Sequence, residues 1–134
     1  MARRSFAGQK GQASLELALA LPLLLLVAIA LLQFAVFYHA QNVVTAAVQD
    51  GARVAAADGR SLEEGLGHAR ALLQAGLGGR AGDVQLQGQD TGDVVLIEAR
   101  GGLRAIIPWG ADARLPLGAR ALMDKERFRA GPNG

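Results

Sequence analysis

The sequence predicts an α+β protein in which a long N-terminal transmembrane helix extends outward and is followed by a short second helix and a small antiparallel β-sheet. Three observations predict it. An apolar run fills residues 17–38, a helix-capping signal begins at Ser61, and short apolar or alternating segments separated by turn residues occupy the region after Gly82.

The apolar run is long enough to cross a bilayer. No residue from Leu17 to Leu32 is polar, and after Gln33 the run continues to Tyr38. As a helix this segment would extend about 33 Å, whereas a bilayer core needs roughly 20 apolar residues. We therefore expect a single membrane span over about residues 17–38.

Flanking charges predict the orientation of the span. Arg3, Arg4 and Lys10 precede it without an acidic residue, whereas the first charges after it, Asp50 and Arg53, have opposite signs. Because positive charges are retained on the cytoplasmic side, the N-terminus is predicted to be cytoplasmic. Aromatic side chains prefer the headgroup layer, and their grouping at the far end of the run marks the outer interface: Phe34, Phe37 and Tyr38.

Composition excludes several classes of function. The chain has no cysteine, which removes disulfides, thiolate metal ligands and thiol nucleophiles. Its net charge is +2, and no basic cluster is interleaved with aromatics, so nothing supports nucleic-acid binding. About 96 residues follow the span, enough for one small domain, which disfavours a large catalytic core.

Two ordinary fates remain open for the N-terminal segment. A signal peptidase reads small residues such as Ala28-Ile29-Ala30, and cleavage there would make Leu31 the first mature residue. Alternatively the segment is an uncleaved anchor, in which Glu16 is an anion in the first turn of the helix, stabilised by the helix dipole. That anchor would belong to an envelope protein whose outer domain binds a partner or senses a condition.

A third fate is suggested by the spacing of a glycine and a glutamate. Gly11 ends a short basic leader, four uncharged residues follow, and Glu16 opens the apolar run. This order resembles the class III signal of type IV pilins and pseudopilins, which is cut directly after the glycine. Cleavage would create a cationic α-amine at Gln12, and Glu16 lies one helical turn further on. A carboxylate in hydrocarbon costs about 2.5–3.5 kcal/mol, so it is expected to have a partner.

The chain resembles the TadE-like minor pilins or pseudopilins of the tight-adherence (Flp, type IVb) pilus system over residues 11–57. The likeness is carried by the Glu16-x-Ala18-x-x-x-Pro22 pattern, by residues 38–44, and by Gly51-Ala52-Arg53. Gln12 stands where many mature type IV pilins begin with phenylalanine, and Leu17 where the major Flp pilin has tyrosine. These departures disfavour a principal pilin and leave N-methylation of Gln12 open.

The resemblance implies a non-enzymatic protein of a bacterial cell membrane, with a pilin-like fold and no cofactor. Residues 1–11 would form the cytoplasmic leader, residues 12–57 the transmembrane and extended helix, and residues 58–134 an extracytoplasmic α+β region. The implied roles are processing at Gly11 and Gln12, assembly through Glu16, and membrane spanning by the segment that includes Leu17, Pro22 and Tyr38. The implied partners are a prepilin peptidase, other pilin subunits, assembly-platform proteins and the lipid bilayer.

The helix is predicted to continue beyond the membrane to about Ala57. Val44, Val48, Gly51 and Ala55 follow one another at spacings of four, three and four, which places them on one face. Small residues allow close helix approach, and this region contains Ala46, Ala47, Gly51, Ala52, Ala55 and Ala56. The face could pack on the protein's own domain or on another subunit, and the sequence leaves both open.

The remaining elements follow from local signals. Ser61 and Glu64 fit a capping box for a helix that ends near Ala75, and Gly76, Gly78, Gly79 and Gly82 predict a closing loop. Residues 84–87 and 94–99 predict a hairpin around the turn at 89–93, and residues 103–107 a third strand. Pro108 and Pro116 are expected to bracket a loop containing Trp109, which either contacts a partner or covers the core. Residues 117–127 fit an edge strand, with a helix as the alternative.

Other chemistry-bearing residues have ordinary interpretations. His39 and His68 have no ligand partner at metal-site spacing, which favours an interfacial and a helix-surface side chain. Ser61 is interpreted as a helix cap. Asp90 and Asp93 flank Gly92 and are interpreted as turn residues in preference to cation ligands. No catalytic constellation is evident.

Overall fold

The computed structural model describes residues 6–108, 110 and 112–126. These residues form helices α1 (Phe6–Ala56) and α2 (Leu62–Leu77), a 3-10 helix (Gly78–Asp83), and strands β1 (Val84–Asp90), β2 (Val94–Arg104) and β3 (Arg114–Asp124). The predicted α+β class and its order of elements are confirmed. Among the sequence predictions, the leader charges at Arg3 and Arg4, the loop residue Trp109 and the strand end at Arg127 lie outside the described residues.

The chain divides into two units, Met1–Ala35 and Val36–Gly134. The described part of the first unit is helical throughout. Its leucines are exposed, as Leu19 at 71% and Leu23 at 63% illustrate. A helix with apolar side chains on its whole surface is suited to a lipid environment rather than to water.

The second unit packs two helical segments against one face of a sheet. Residues 36–56 of α1 and the whole of α2 contribute buried side chains that include Val44, Val48 and Leu73. The sheet contributes Val95 and Ile97 from β2, both fully buried. The hydrophobic core of the described residues therefore lies between the helices and the inner face of the sheet.

The sheet has the order β1-β2-β3, and both pairs are antiparallel. In β2 the residues with odd numbers face the core, as buried Val95, Ile97 and Ala99 show, and even-numbered residues face away. The register pairs Arg100 with Gly118 and Arg104 with Arg114. β3 is thus an edge strand, as predicted for this part of the chain.

The boundaries of the strands correct several predictions. The strand predicted over residues 103–107 is wrong, because β2 itself continues through Gly101 and Gly102 to Arg104. A side chain at Gly101 would place its Cβ 2.6 Å from the Asp83 carbonyl oxygen, so glycine here permits close backbone contact within the sheet. The two glycines therefore lie within one continuous strand and not between two strands.

The last strand begins earlier than predicted, and the helical alternative for this segment is wrong. β3 begins at Arg114 and contains Pro116, which was expected to close a loop. A proline is tolerated in an edge strand when its missing N–H would point away from the sheet. Pro116 pairs with Gly102 at such a position, since the neighbouring even-numbered residue Gly118 directs its N–H to the outer edge.

The glycine-rich segment after α2 also differs from the prediction. Gly76 lies inside α2, and residues 78–83 form a 3-10 helix rather than an open loop. A Cβ on Gly76 would lie 2.4 Å from Val43 Cγ1, which explains the glycine by close packing of α2 on α1. Gly78, with a φ of 58°, provides the left-handed residue at which α2 ends.

Candidate processing and assembly site

Gly11 lies inside α1, five residues after the first described residue of the helix. It is exposed, and a Cβ added there would meet no atom within 4 Å. Glycine in a helix interior costs about 1 kcal/mol relative to alanine, so its presence without a packing reason locally weakens the helix. The bond between Gly11 and Gln12 is accessible, but a peptidase would have to unwind the surrounding turn.

Glu16 is exposed one turn after Gln12, on a helix surface composed mainly of leucine. Leu15 and Leu17 on either side of it are 62% and 59% exposed. Within the described part of the chain, the Glu16 carboxylate has no hydrogen bond or ion pair. The nearby Ser14 hydroxyl donates to the Lys10 carbonyl oxygen at 2.9 Å, so its hydrogen bond is made within the helix. A charged group in this position is therefore available to a partner from outside the chain.

The span predicted to follow Glu16 corresponds to an uninterrupted helix. α1 contains a stretch apolar enough to cross a membrane, none of which is buried inside the protein. Pro22 lies within this helix and removes the N–H that would bond the Ala18 carbonyl. Tyr38, at the predicted outer interface, is 59% exposed. The described residues thus contain one candidate span, which is consistent with a single-pass membrane protein.

The helical face beyond the span packs on the protein's own second unit. Val44, Val48 and Ala55 are fully inaccessible, and Gly51 is buried with them. A Cβ at Gly51 would lie 2.8 Å from both the Gly65 carbonyl oxygen and Ala69 Cβ. Of the two open interpretations, intramolecular packing is therefore the one that the structure supports. Among the small residues named for this region, Ala46 alone is exposed.

The capping interpretation of Ser61 is confirmed. Glu64 N–H donates to Ser61 Oγ at 3.2 Å, and Ser61 N–H donates to Glu64 Oε2 at 3.0 Å. Both hydrogen bonds of a capping box are present.

Asp90 serves as a turn residue, as predicted. Its Oδ1 accepts from Gly92 N–H at 2.8 Å, and Gly92 has a φ of 88° that suits glycine. Its Oδ2 accepts from Lys125 Nζ, and the hydrogen bonds from Lys125 and Gly92 lower the pKa of this carboxyl group. The Asp93 carbonyl oxygen accepts from Lys125 N–H at 2.8 Å. This bond continues the pairing of β2 with β3 by one residue pair, from Val94 and Asp124 to Asp93 and Lys125.

The histidines occupy surface positions. His39 Nε2 lies 3.4 Å from the Gly76 carbonyl oxygen at the end of α2. His68 is exposed on α2, which agrees with its interpretation as a helix-surface residue. No group of three potential metal ligands occurs among residues 6–108, 110 and 112–126.

Sequence reasoning missed one long-range contact of α1. The Gln41 side chain bonds the backbone of Gly118, 77 residues away, and no local pattern identifies such a partner. The available signal was a polar side chain within an otherwise small and apolar helix face.

The described residues thus form an α+β protein with one candidate membrane span, and near the start of that span they place a carboxylate that has no partner among them. Residues 11–53 match the family model described as TadE-like protein, so this segment of the chain is TadE-like and the resemblance is confirmed. The match supports a protein associated with the tight-adherence pilus and covers about a third of the chain. No curated protein and no solved structure matches the chain.

Proposed function

We propose that this protein is a minor pilin or pseudopilin that is cleaved after Gly11 and incorporated as a structural or initiating component of a tight-adherence pilus. The observation that carries the proposal is the geometry of Gly11 and Glu16 within the TadE-like segment. The family match begins at Gly11, the residue after which cleavage is proposed. Glu16 lies exposed among leucines without a partner in the described part of the chain.

The proposed assembly step follows from these positions. Cleavage places a cationic amine on Gln12, four residues before the carboxylate of Glu16. Within a bilayer, the energetic cost of the charge is lowered when the amine and carboxylate of neighbouring subunits pair. The protein acts here as a structural partner and not as an enzyme. Its partners are a prepilin peptidase, other pilin subunits and the assembly platform.

The proposed topology places the leader in the cytoplasm and the second unit outside. Lys10 and the two leader arginines before the span support it through the positive-inside bias. The exposed leucine surface of α1 supports residence in the cell membrane before assembly.

Mass spectrometry of the mature N-terminus tests the proposal. A chain that begins at Gln12 agrees with it, provided that the same chain stays full-length in cells without the prepilin peptidase. An intact N-terminus in wild-type cells would instead indicate a permanently anchored envelope protein. A start at Leu31 would indicate an exported domain.

A further inference from the structure

The residue that follows the proposed cleavage point is a glutamine. Gln12 comes directly after Gly11 within α1. In the uncut chain the Gln12 nitrogen belongs to a peptide bond, whose resonance makes its lone pair unreactive. Once the bond after Gly11 is cut, the same nitrogen becomes a primary amine that can close a five-membered ring with Cδ of its own side chain. Cleavage therefore brings a nucleophile and an acyl carbon together on one residue.

No contact within the described part of the chain holds the Gln12 side chain in place. The side chain is exposed, and its amide makes no hydrogen bond with the residues that the structure describes. Gly8, one helical turn earlier, has no side chain that could cover it. The hydroxyl of nearby Ser14 is already bonded to the Lys10 carbonyl oxygen at 2.9 Å. The Gln12 side chain is thus free to reach the rotamer in which Cδ approaches the backbone nitrogen.

A helix that begins at Gln12 accommodates such a ring. The first four N–H groups of a helix have no acceptor within it, so this nitrogen gives up no helical hydrogen bond when it enters a lactam. The lactam ring consists of the same atoms as the proline ring, from N to Cδ, and proline is favoured at the first helical position. Ring closure is therefore compatible with α1 from Ala13 onward.

The charge on the new amine decides whether it reacts, because a protonated amine has no lone pair. In water an α-amine titrates at about pH 7.7–8.0, so a minority of it is neutral at physiological pH. The helix macrodipole disfavours a cation at the N-terminus and thus increases the neutral share. A carboxylate that pairs with the amine has the opposite effect, because it stabilises the protonated form.

Glu16 provides this carboxylate with different strength before and after assembly. Within one chain it lies one helical turn from Gln12 and is exposed, and an exposed ion pair at this spacing is weak. Between neighbouring subunits in hydrocarbon the pairing is strong, because neither charge has water as an alternative partner. The amine of an unassembled subunit is therefore the one that is more often neutral.

We propose that Gln12 is a site of self-modification, at which the mature N-terminus of an unassembled subunit cyclises to pyroglutamate. The amine nitrogen attacks Cδ and forms a C–N bond, the bond from Cδ to Nε2 breaks, and a proton passes from the attacking to the leaving nitrogen, which departs as ammonia. No oxidant or second reactant is required. The inference rests on the proposed function, since it requires cleavage after Gly11.

The product changes what the subunit can do. A lactam is neutral, so it cannot pair as a cation with the carboxylate of a neighbouring subunit. An opposite charge within about 4–6 Å changes a protonation equilibrium by about tenfold or more, so cyclisation should be about tenfold slower in assembled subunits than in unassembled ones. Mature subunits that remain in the membrane would thus lose, with time, the charge that their incorporation needs.

Intact-mass spectrometry of the whole mature chain tests the inference. Cells are pulse-labelled, and the protein is isolated during a chase from the membrane and, separately, from sheared pili. Loss of the mass of one ammonia reports cyclisation, and gain of one methylene reports N-methylation of the same nitrogen. The cyclised fraction should rise during the chase in the membrane pool, and its rate of increase should be about tenfold lower in pili.

Gln12→Asn is the matched control, because it keeps a side-chain amide at the same exposed position. Its shorter side chain could close only a strained four-membered ring, so this variant should be cleaved at the same bond and keep its free amine throughout the chase. The wild-type mature chain, purified in detergent micelles, should lose ammonia without any added protein. Both results together would assign the reaction to the Gln12 side chain itself.

The possible failures are distinguishable. A wild-type chain that starts at Gln12 and keeps a free or methylated amine throughout the chase would overturn this inference and leave the proposed cleavage intact. Equal rates of cyclisation in the membrane and in pili would also overturn it, because pairing with a carboxylate would then give no protection. A chain that still carries its leader would contradict the proposed function, and the self-modification with it.

Discussion

Gln41 completes the edge of the sheet at Gly118 through both of its amide atoms. Gln41 Nε2 donates to the Gly118 carbonyl oxygen at 2.6 Å, and Gly118 N–H donates to Gln41 Oε1 at 3.3 Å. A side-chain amide presents the same donor and acceptor as a backbone peptide. Gln41 therefore takes the place that a residue of a fourth strand would occupy.

This contact belongs to a series that protects the outer edge of β3. Pro116, two residues before Gly118, has no N–H to offer, and Glu126 N–H donates to the end of α1. Unprotected strand edges favour pairing with other chains. Gln41, which belongs to the TadE-like segment of α1, thus covers part of the exposed edge of the sheet.

Replacing Gln41 with alanine should destabilise the second unit by about 1–3 kcal/mol, because two hydrogen bonds of roughly 0.5–1.5 kcal/mol each are lost. Amide exchange at Gly118 should become faster, since its N–H loses its acceptor. The measurement is urea unfolding in detergent combined with hydrogen exchange. Gln49→Ala is the matched control on an exposed position of the same helix. Unchanged exchange at Gly118 would show that the bond is not maintained in solution.

Gly51 and Gly65 set the distance between α1 and α2. A Cβ on Gly65 would lie 2.5 Å from both Ala55 Cβ and the Gly51 carbonyl oxygen. Gly51→Ala and Gly65→Ala should each cost about 1–3 kcal/mol, since the helices must separate. Gly67→Ala should instead stabilise by about 0.5–1 kcal/mol, because that glycine of α2 has open space and alanine favours the helix. Denaturant midpoints compare the three variants, and equal midpoints would contradict the close packing.

The sequence predicted the helical part of the fold better than the sheet. The apolar run and the Ser61–Glu64 capping box are local signals, and both corresponded to helices that the structure contains. β2 and β3 were misjudged because Gly101, Gly102 and Pro116 usually interrupt strands. Whether a strand tolerates these residues depends on its pairing partner and on its position at the sheet edge. Both are properties of the tertiary structure and not of the local sequence.

Features of the candidate site that depend on local sequence could be predicted, whereas contacts between residues distant in sequence could not. The spacing of Gly11 and Glu16 is a property of the sequence, and it was recognised there. The pairing of Lys125 with Asp90 joins residues 35 positions apart at 2.5 Å and could not be inferred from local sequence. Intramolecular burial of the Val44 and Val48 face also required the sheet to be placed first.

Asp90 should make stability dependent on pH in the acidic range. The hydrogen bond from Lys125, followed by that from Gly92, lowers the pKa of Asp90 in the folded state. Because the folded pKa lies below the unfolded value of about 3.9, the stabilisation is present above that pH and is lost as the pH falls through the folded pKa. Asp90→Asn should therefore be less stable than wild type at pH 7, and the difference should shrink below about pH 4. A pH-independent difference would exclude the charged pair as its cause.

Gly11→Leu should block processing without disturbing the fold. The Cβ position of residue 11 is open, and leucine is a better helix former than glycine, so the helix tolerates the change. Full-length protein should accumulate in the membrane and migrate more slowly on a gel. Gly8→Leu is the matched control, since Gly8 is equally open and lies three residues earlier. If Gly11→Leu yields a chain that starts at Gln12, the proposed cleavage signal is wrong.

Glu16→Ala should allow membrane insertion and cleavage but reduce recruitment into pili. The carboxylate is exposed on a leucine-rich helix surface, and its removal takes away the proposed partner of the neighbouring subunit's amine. Glu16→Gln separates charge from shape, and it should reduce recruitment as strongly as Glu16→Ala. Glu63 is exposed on α2 and provides a control for general loss of negative charge. The variant Glu63→Ala should assemble normally. Quantitative immunoblots of sheared pili measure recruitment relative to the membrane pool. Normal recruitment of Glu16→Gln would contradict the pairing of charges and leave packing as the role of this side chain.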